Sequence, residues 1–349
     1  MPPLSGVRVL DFTTLLPGPM ATLLLAEAGA EVIKVERPGL GEEMRHYPPR
    51  VGPDSANFIL LNRGKRCITV DLKAPDSLER LRPLVESADV LVEQFRPGVM
   101  ARLGLGYSAL NAINPRLIYC SITGYGQTGP KSGEAGHDLN YMAESGVLGL
   151  GGDDRGQPGV PPALVADVAG GSYPAVMNIL LALRQRDQTG QGSYLDIAMT
   201  DNLFPFAFWA LGGGEVTGRA PRPGGELLTG GSPRYRVYRT RDGRYLAVGA
   251  LEQKFWETFC ALIALPESLR DDRQDPRATR EAVSERIAAQ PASYWEQRFA
   301  GQDVCCTLVR TLEEALNSPQ FQARGVFKAR VRMKEGSLRA LPVPIVPEF

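Results

Sequence analysis

Short apolar runs alternate with amphipathic stretches along the first third of the chain. Aliphatic and β-branched residues dominate the runs at 7–11, 31–36, 67–72, 89–93 and 117–122. Helical patterns separate several of them, at 20–28, 76–87 and 98–103. Strands that alternate with helices predict parallel strands joined by right-handed crossovers. The expected fold is therefore α/β with a large open parallel sheet, and its ligands should lie outside the carboxyl ends of the strands.

The pattern changes in the second half of the chain. Glycine and proline accumulate between residues 212 and 233, which predicts a linker or a mobile loop. Two alternating segments then flank the turn Arg241-Asp242-Gly243, as in a hairpin, and helical patterns follow at 254–263, 277–289 and 292–300. We expect a large α/β domain over 1–195, a linker over 196–230 and a smaller α+β domain over 231–312.

Composition narrows the classes of function. The 39 basic residues balance the 39 acidic ones, so no basic excess indicates nucleic acid as a partner. No signal peptide is evident at the N-terminus, and no run approaches the roughly 18 apolar residues of a membrane span. We expect a cytoplasmic protein with no membrane partner. Five cysteines without a CxxC pair and only two histidines predict no metal site.

Nucleotide-cofactor motifs are absent from the sequence. The first strand is followed by Thr13-Thr14-Leu15-Leu16-Pro17-Gly18-Pro19, which is not a GxGxxG fingerprint, and no Walker motif follows elsewhere. We therefore expect neither NAD nor FAD.

Three polar residues stand in positions suited to acid–base chemistry. His137 begins a predicted helix, where exposed backbone N–H groups could hold an enolate oxygen; alternatively it caps or packs locally. Asp167 lies in an apolar, glycine-flanked stretch, where a carboxylate must be paired, hydrogen-bonded or shifted in pKa. Its alternative role is to cap the helix that follows. Glu252 follows an apolar strand, and its alternative role is simply to begin the next helix.

Basic side chains cluster near predicted strand ends. The group could bind phosphates, with arginine giving bidentate contacts, although each residue alone is more often a solvated surface charge. The members of this group are Arg37, Arg63, Lys65, Arg66 and Arg96.

Motifs spread over nearly the whole chain resemble the family III CoA-transferases of the CaiB/BaiF type. The matching segments are 4–11, 30–38, 61–65, 95–98, 124–130 and 190–196. Within that superfamily, Gly136-His137-Asp138-Leu139-Asn140-Tyr141 is similar to the catalytic histidine motif of the α-methylacyl-CoA racemase branch. Asp167 matches the family's catalytic aspartate, and Glu252 matches the glutamate that supports the histidine.

The resemblance implies an architecture and a set of binding residues. A large domain built from both chain ends, with 313–349 returning to it, would accompany a small domain in an interlocked homodimer. Each active site would lie between the large domain of one subunit and the small domain of the other. Coenzyme A would enter as part of the substrate, with no tightly bound cofactor. The implied contacts to CoA and the thioester are Arg37, Asn62, Arg63, Lys65, Arg96, Gly136, Asp138 and Tyr141.

Three functions remain open at this point. A racemase would move a proton at the α-carbon of a 2-methylacyl-CoA with His137 and Asp167 on opposite faces. A CoA-transferase would use Asp167 as a nucleophile that forms a mixed anhydride, with no obligatory part for His137. A CoA-binding protein without turnover is the third possibility.

Overall fold

The structure is a computed structural model that describes residues 1–152, 156–334, 336–346 and 348. Its chain forms two compact units. The first comprises Met1–Ser145, Pro161–Pro205 and Gln322–Phe349, and the second comprises Gly146–Val160 and Phe206–Phe321. Both chain ends therefore belong to the first unit.

The strands, in chain order, are β1 Arg8–Asp11, β2 Glu31–Glu36, β3 Arg50–Val51, β4 Asp54–Ser55, β5 Arg66–Thr69, β6 Val90–Glu93, β7 Ile118–Thr123, β8 Tyr194–Ala198, β9 Tyr235–Arg239, β10 Tyr245–Gly249, β11 Cys306–Leu308, β12 Arg330–Met333 and β13 Gly336–Arg339.

The α-helices are α1 Pro17–Glu27, α2 Ala56–Asn62, α3 Ser77–Ser87, α4 Val99–Arg102, α5 Tyr107–Ile113, α6 Asp138–Glu144, α7 Val147–Leu150, α8 Tyr173–Thr189, α9 Phe208–Thr217, α10 Gln253–Leu262, α11 Pro276–Ala288, α12 Ala292–Phe299, α13 Leu312–Leu316 and α14 Pro319–Ala323. Within the described residues, three 3₁₀ segments, Glu43–His46, Asp201–Ala207 and Glu267–Leu269, and two π turns, Ala166–Ser172 and Leu227–Gly231, complete the helical elements.

The first unit is built on a six-stranded parallel sheet in the order β5-β2-β1-β6-β7-β8. Its central strands are buried on both faces, which explains why they read as continuous apolar runs rather than as alternating ones. The side chains of one face pack against α3 and α5. The predicted α/β fold with a large parallel sheet is confirmed.

The order of the strands reverses in the middle of this sheet. The chain proceeds outward from β1 through β2 to β5, and then returns to β6 on the other side of β1 before continuing to β7 and β8. Such a reversal opens a crevice at the carboxyl ends of β1 and β6, because the loops that follow these strands diverge.

The second unit contains a three-stranded antiparallel sheet, β11-β10-β9. The predicted hairpin is its β9–β10 pair. Aromatic residues from α10 and α12, including Trp256, Phe259, Trp295 and Phe299, form the centre of its buried core. This unit therefore has a hydrophobic core of its own.

The expected linker over 196–230 is wrong. Strand β8 runs to Ala198, and α9 extends from Phe208 through three consecutive glycines to Thr217. Glycine costs only about 1 kcal/mol per residue in a helix interior relative to alanine, so glycines do not by themselves exclude a helix. The large apolar residues Phe208, Trp209 and Leu211 of this helix are exposed. The return to the first unit also begins at Gln322 rather than at 313, because α13 and most of α14 belong to the second unit.

One helical stretch, Ala166–Thr189, is long and apolar enough to cross a membrane by length and composition, contrary to the sequence-based expectation. Its α8 portion packs against α1 and against strands β7 and β8. Helices that cover a sheet in this way pass the same test, so the stretch is weak evidence for a membrane.

Candidate active site

A cavity of about 480 Å³ lies in the first unit, at the reversal of strand order. The segments that follow three strands contribute to its wall: Leu15 and Pro17 after β1, Gln94 to Pro97 after β6, and Gly124 and Tyr125 after β7. This is the position that the topology of an open parallel sheet favours for a ligand.

His137 also contributes to the wall of this cavity, from its position immediately before α6. The backbone N–H of His137 donates to the side-chain oxygen of Asn140 at 3.0 Å, which ties the helix start to its first turn. The His137 side chain is exposed and lines the cavity. His137 thus occupies the N-cap position of α6 and also lines the cavity.

Tyr141 explains two glycines of the site. Its hydroxyl donates to the carbonyl of Gly136 at 2.5 Å. A Cβ at Gly136 would lie 2.5 Å from the Tyr141 ring, and one at Gly124 would lie 2.2 Å from it. Only glycine allows the backbone to approach the ring so closely.

Asp167 lies in the π turn Ala166–Ser172, which runs directly into α8. It is therefore not the cap of that helix, which was its alternative interpretation. Its backbone N–H donates to Oδ1 of Asp138 at 3.0 Å. Ser172 anchors the turn by donating from its hydroxyl to the Pro17 carbonyl at 2.8 Å. π turns inside longer helices are frequent at functional sites.

The pKa of Asp167 is raised to about 6, mainly by burial and also by the negative charge of Asp138, while His137 opposes the rise. Asp167 is half-buried and lines the same cavity as His137. A carboxyl group with this pKa exchanges its proton readily near neutral pH. The cavity therefore brings together a histidine and a carboxyl group whose pKa lies within reach of neutral pH.

Glu252, the third sequence-predicted catalytic residue, belongs to the second unit. It occupies the position before α10, and its side chain is exposed. Its alternative interpretation as the start of a helix is thus correct as a local description. Its role toward His137 stays a prediction.

Of the predicted cationic residues, Arg96 is the one that lines the cavity. It is exposed, and its guanidinium group makes no hydrogen bond or ion pair with any residue that the structure describes, whereas its backbone carbonyl accepts from the Val99 N–H at 3.1 Å. Arg37 is also exposed and donates from Nε to the carbonyl of Gly41 at 2.9 Å. Both guanidinium groups can therefore bind a phosphate group without first breaking an ion pair to a described residue.

The side chains of Asn62, Arg63 and Lys65, which were expected to contact CoA, already have partners within the first unit. The Lys65 side chain is 0% exposed and lies 3.1 Å from the Asp11 carboxylate. Asn62 accepts from Lys65 at 2.9 Å and donates to the Phe58 carbonyl.

The side chain of Arg63, like that of Lys65, is hydrogen-bonded to several groups of the protein. It donates to Glu27 and to the carbonyls of Leu60 and Leu341. These contacts link separate segments of the first unit, because the Arg63 side chain donates to three partners and the Lys65 ammonium group to four. Spacing along the sequence could not show that their charges are already neutralised.

Two residues of the site were missed by the sequence reasoning. Gln94 donates to the Thr14 carbonyl at 2.6 Å and accepts from the Gly18 N–H at 3.0 Å, so it bridges the loops after β1 and β6. Tyr125 packs edge-on against Tyr141, with ring centroids 5.3 Å apart. Gln94 directly follows β6, and Tyr125 lies two residues after β7. Ligands of open parallel sheets bind at the carboxyl ends of the strands, so this rule could have indicated both residues.

Comparisons with known proteins show the family of this chain. The model of CoA-transferase family III matches residues 4–347. The chain is 36% identical over 349 residues to human alpha-methylacyl-CoA racemase, covering 98% of this chain and 86% of the racemase. It is 34% identical to human succinyl-CoA:glutarate CoA-transferase, covering 98% of this chain and 79% of the transferase.

A solved structure is similar over its whole length as well. The crystal structure of a CaiB/BaiF family protein from Brucella suis has a TM-score of 0.83 and 30% sequence identity, covering 99% of this chain and 92% of that one. The family model, the relatives and the fold point the same way: this chain belongs to CoA-transferase family III, whose members similar to it include both a racemase and CoA-transferases.

Proposed function

We propose that the protein racemizes or epimerizes 2-methylacyl-CoA thioesters by removing and returning the α-proton. The observation that carries this proposal is the shared cavity of His137 and Asp167, in which the pKa of Asp167 is raised to about 6. A racemase needs two acid–base groups at one carbon, with pKa values close enough for either to give or take the proton.

The chemistry follows from these two groups. Neutral His137 removes the α-proton of one epimer, and protonated Asp167 delivers a proton to the opposite face. The roles reverse in the other direction. The thioester makes the α-proton acidic, and the enolate oxygen is stabilised by the N–H of Asp138, which as the first residue of α6 has no acceptor within its own helix.

The remaining parts of the substrate and assembly are also proposals. Coenzyme A binds as part of the substrate, with Arg96 and Arg37 contacting its phosphates through bidentate hydrogen bonds. No tightly bound cofactor takes part. The enzyme acts in the cytoplasm as an interlocked homodimer, with the partner subunit's Glu252 supporting His137.

Hydrogen exchange tests the racemase proposal. Incubation with 2-methylacyl-CoA in D₂O should introduce deuterium at the α-carbon, measured by mass spectrometry. His137→Ala should lower that rate by about 10²–10⁴-fold, because a positioned general base contributes on that scale.

The chain offers a matched control, since it has only two histidines. His46 lies on a 3₁₀ segment outside the cavity lining and contacts the Leu40 carbonyl. His46→Ala should exchange at the wild-type rate. Exchange by His137→Ala at the wild-type rate would remove His137 from the mechanism.

A second candidate function is CoA transfer between carboxylic acids. It is favoured by the nearly equal identity of this chain to a racemase and to a transferase, 36% and 34%. Asp167 would then attack the thioester carbonyl, form an acyl anhydride and release CoA thiolate. The second carboxylate would attack the Asp167 carbonyl of this anhydride and displace the first acid as its carboxylate. CoA thiolate would then attack the acyl carbonyl of the new anhydride, which forms the second thioester and releases the Asp167 carboxylate. Hydroxylamine should trap the acyl group on Asp167, and His137→Ala should retain transfer.

A further inference from the structure

Asp138 connects the two groups of the proposed acid–base pair. It follows His137 directly in the chain and is the first residue of α6. Its side chain is buried, with the residue 5% exposed, and its Oδ1 accepts the backbone N–H of Asp167 at 3.0 Å. One side chain thus fixes the distance between α6, which carries His137 at its start, and the π turn that carries Asp167.

A buried carboxylate beside Asp167 also has an electrostatic effect. Among the described residues, the influences on the pKa of Asp167 are burial and the charge of Asp138, which raise it, and His137, which lowers it. Tyr141, also on α6, stays neutral because burial raises its own pKa to about 12. The other elements packed against the turn are α1, α8 and β8. Their titratable groups do not contribute; they are Glu27, Tyr173, Arg184, Arg186, Asp187, Tyr194 and Asp196.

We propose that Asp138 is a positioning residue that holds Asp167 in place through its N–H and keeps a negative charge beside it, so that Asp167 carries the proton that the second face of the substrate needs. The inference rests on the proposed racemase function. It assigns a task to the Asp138 side chain, whereas the stabilisation of the enolate involves only the Asp138 backbone. Without this charge, Asp167 would ionise more readily and would deliver a proton less often.

Variants of Asp138 separate position from charge. Asp138→Asn keeps an acceptor for the Asp167 N–H and removes the charge, whereas Asp138→Ala removes both. Asp138→Ser retains a neutral hydroxyl acceptor and serves if the asparagine variant fails to fold. Glu144→Gln is the matched control, since Glu144 is the exposed last residue of the same helix and pairs with Lys131.

The direct measurement is the titration of the Asp167 carboxyl group by ¹³C NMR, with Asp167→Asn identifying its signal. In Asp138→Asn we expect the pKa of Asp167 to fall by about 1, the usual scale for one neighbouring charge. Glu144→Gln should leave it unchanged. An unchanged titration in the neutral Asp138 variants would overturn the proposal. So would a wild-type Asp167 that titrates near its ordinary value of 3.8, which decides the matter even if no variant folds.

Deuterium exchange supplies a second readout. The limb of the pH–rate profile that reports protonated Asp167 should move to lower pH in Asp138→Asn by the same amount as the NMR titration. If the pKa of Asp167 measured by NMR falls but this limb of the pH–rate profile does not shift, Asp138 does not affect catalysis through Asp167, and the proposal is overturned. If the wild type shows no exchange with any acyl-CoA, the racemase proposal fails, but the NMR titration still reports whether Asp138 controls the proton on Asp167.

Discussion

Cationic side chains of this protein differ in role because the fold gives some of them buried acidic partners and leaves others exposed. Lys65 and Lys34 both face the buried carboxylate of Asp11, at 3.1 Å and 3.9 Å. Burial alone would raise the pKa of Asp11, but the two ammonium groups and hydrogen bonds from threonines hold it well below its ordinary value. Lys34 also pairs with Glu42 at 2.6 Å. Lys65 is therefore part of a structural ion network, unlike the exposed Arg37.

The substitution Lys65→Ala should consequently lower stability rather than substrate affinity. Removing one partner leaves part of the buried negative charge of Asp11 uncompensated, and such losses amount to about 3–5 kcal/mol in the free energy of unfolding. Urea unfolding monitored by circular dichroism measures it.

Arg37→Ala is the comparison. An exposed side chain with a single backbone contact should change stability by less than about 0.5 kcal/mol. If Arg37 contacts the CoA phosphates, its loss should instead raise KM. A stable Lys65→Ala protein with a raised KM would contradict the structural assignment of Lys65.

At the scale of elements, the end of strand β6 links the sheet to the cavity. Glu93, its last residue, is 4% exposed and accepts from the Ser121 hydroxyl on β7 and from the Phe95 N–H at 2.8 Å. Phe95 and its neighbours on either side line the cavity. The pKa of Glu93 is raised to about 7, mainly by burial; the two hydrogen bonds oppose this rise and the charge of Asp196 adds to it.

Stability should therefore depend on the protonation of Glu93. A carboxyl group whose pKa is higher in the folded than in the unfolded protein stabilises the fold at low pH, and this contribution is lost as the pH rises from about 4.5 to about 7. Glu93→Gln has no such loss. Between pH 4.5 and pH 8, its free energy of unfolding should gain roughly 3 kcal/mol relative to the wild type.

Thermal or urea unfolding across that pH window measures the difference. Glu79→Gln, on the exposed side of α3, controls for the removal of a carboxylate. Stability curves of Glu93→Gln and wild type that run parallel from pH 4.5 to 8 would show that Glu93 is ionised throughout in the folded protein.

At the scale of the whole molecule, the proposed catalytic residues are divided between the two units. His137 and Asp167 belong to the first unit and Glu252 to the second. In the proposed interlocked dimer, the His137 of one protomer is supported by the partner subunit's Glu252. Each of the two active sites would then draw on both chains.

Mixed dimers test this arrangement. When His137→Ala and Glu252→Gln chains are co-expressed with different tags, each heterodimer should contain one intact site and one that lacks both groups. Purified heterodimers should then show about half of the wild-type exchange rate, although each homodimer is impaired. If Glu252 acted on His137 of its own chain, both sites of the heterodimer would be defective and no recovery would appear.

The fold could be predicted because its signal is local. Each central strand is buried on both faces, so its apolar run and the helix that follows can be recognised along the chain without knowledge of the neighbours. His137 and Asp167 were recognised in the same way, by their position at helix starts within apolar surroundings and by the family motifs. The helix over Phe208–Thr217 was not predicted, because its three consecutive glycines suggested a loop, although glycine disfavours a helix by only about 1 kcal/mol per residue.

By itself, the sequence determined the α/β architecture, the family and the two candidate acid–base residues, since periodicity and motifs are properties of neighbouring positions. Tertiary structure alone decided which charges are free. Lys65, Arg63 and Arg96 are all cations near predicted strand ends. Lys65 and Arg63 form ion pairs within the protein, whereas Arg96 lines the cavity. It also placed Asp138 against Asp167, 29 positions apart. Ion pairing, burial and pKa depend on distances between segments remote in the chain, and no local pattern encodes those distances.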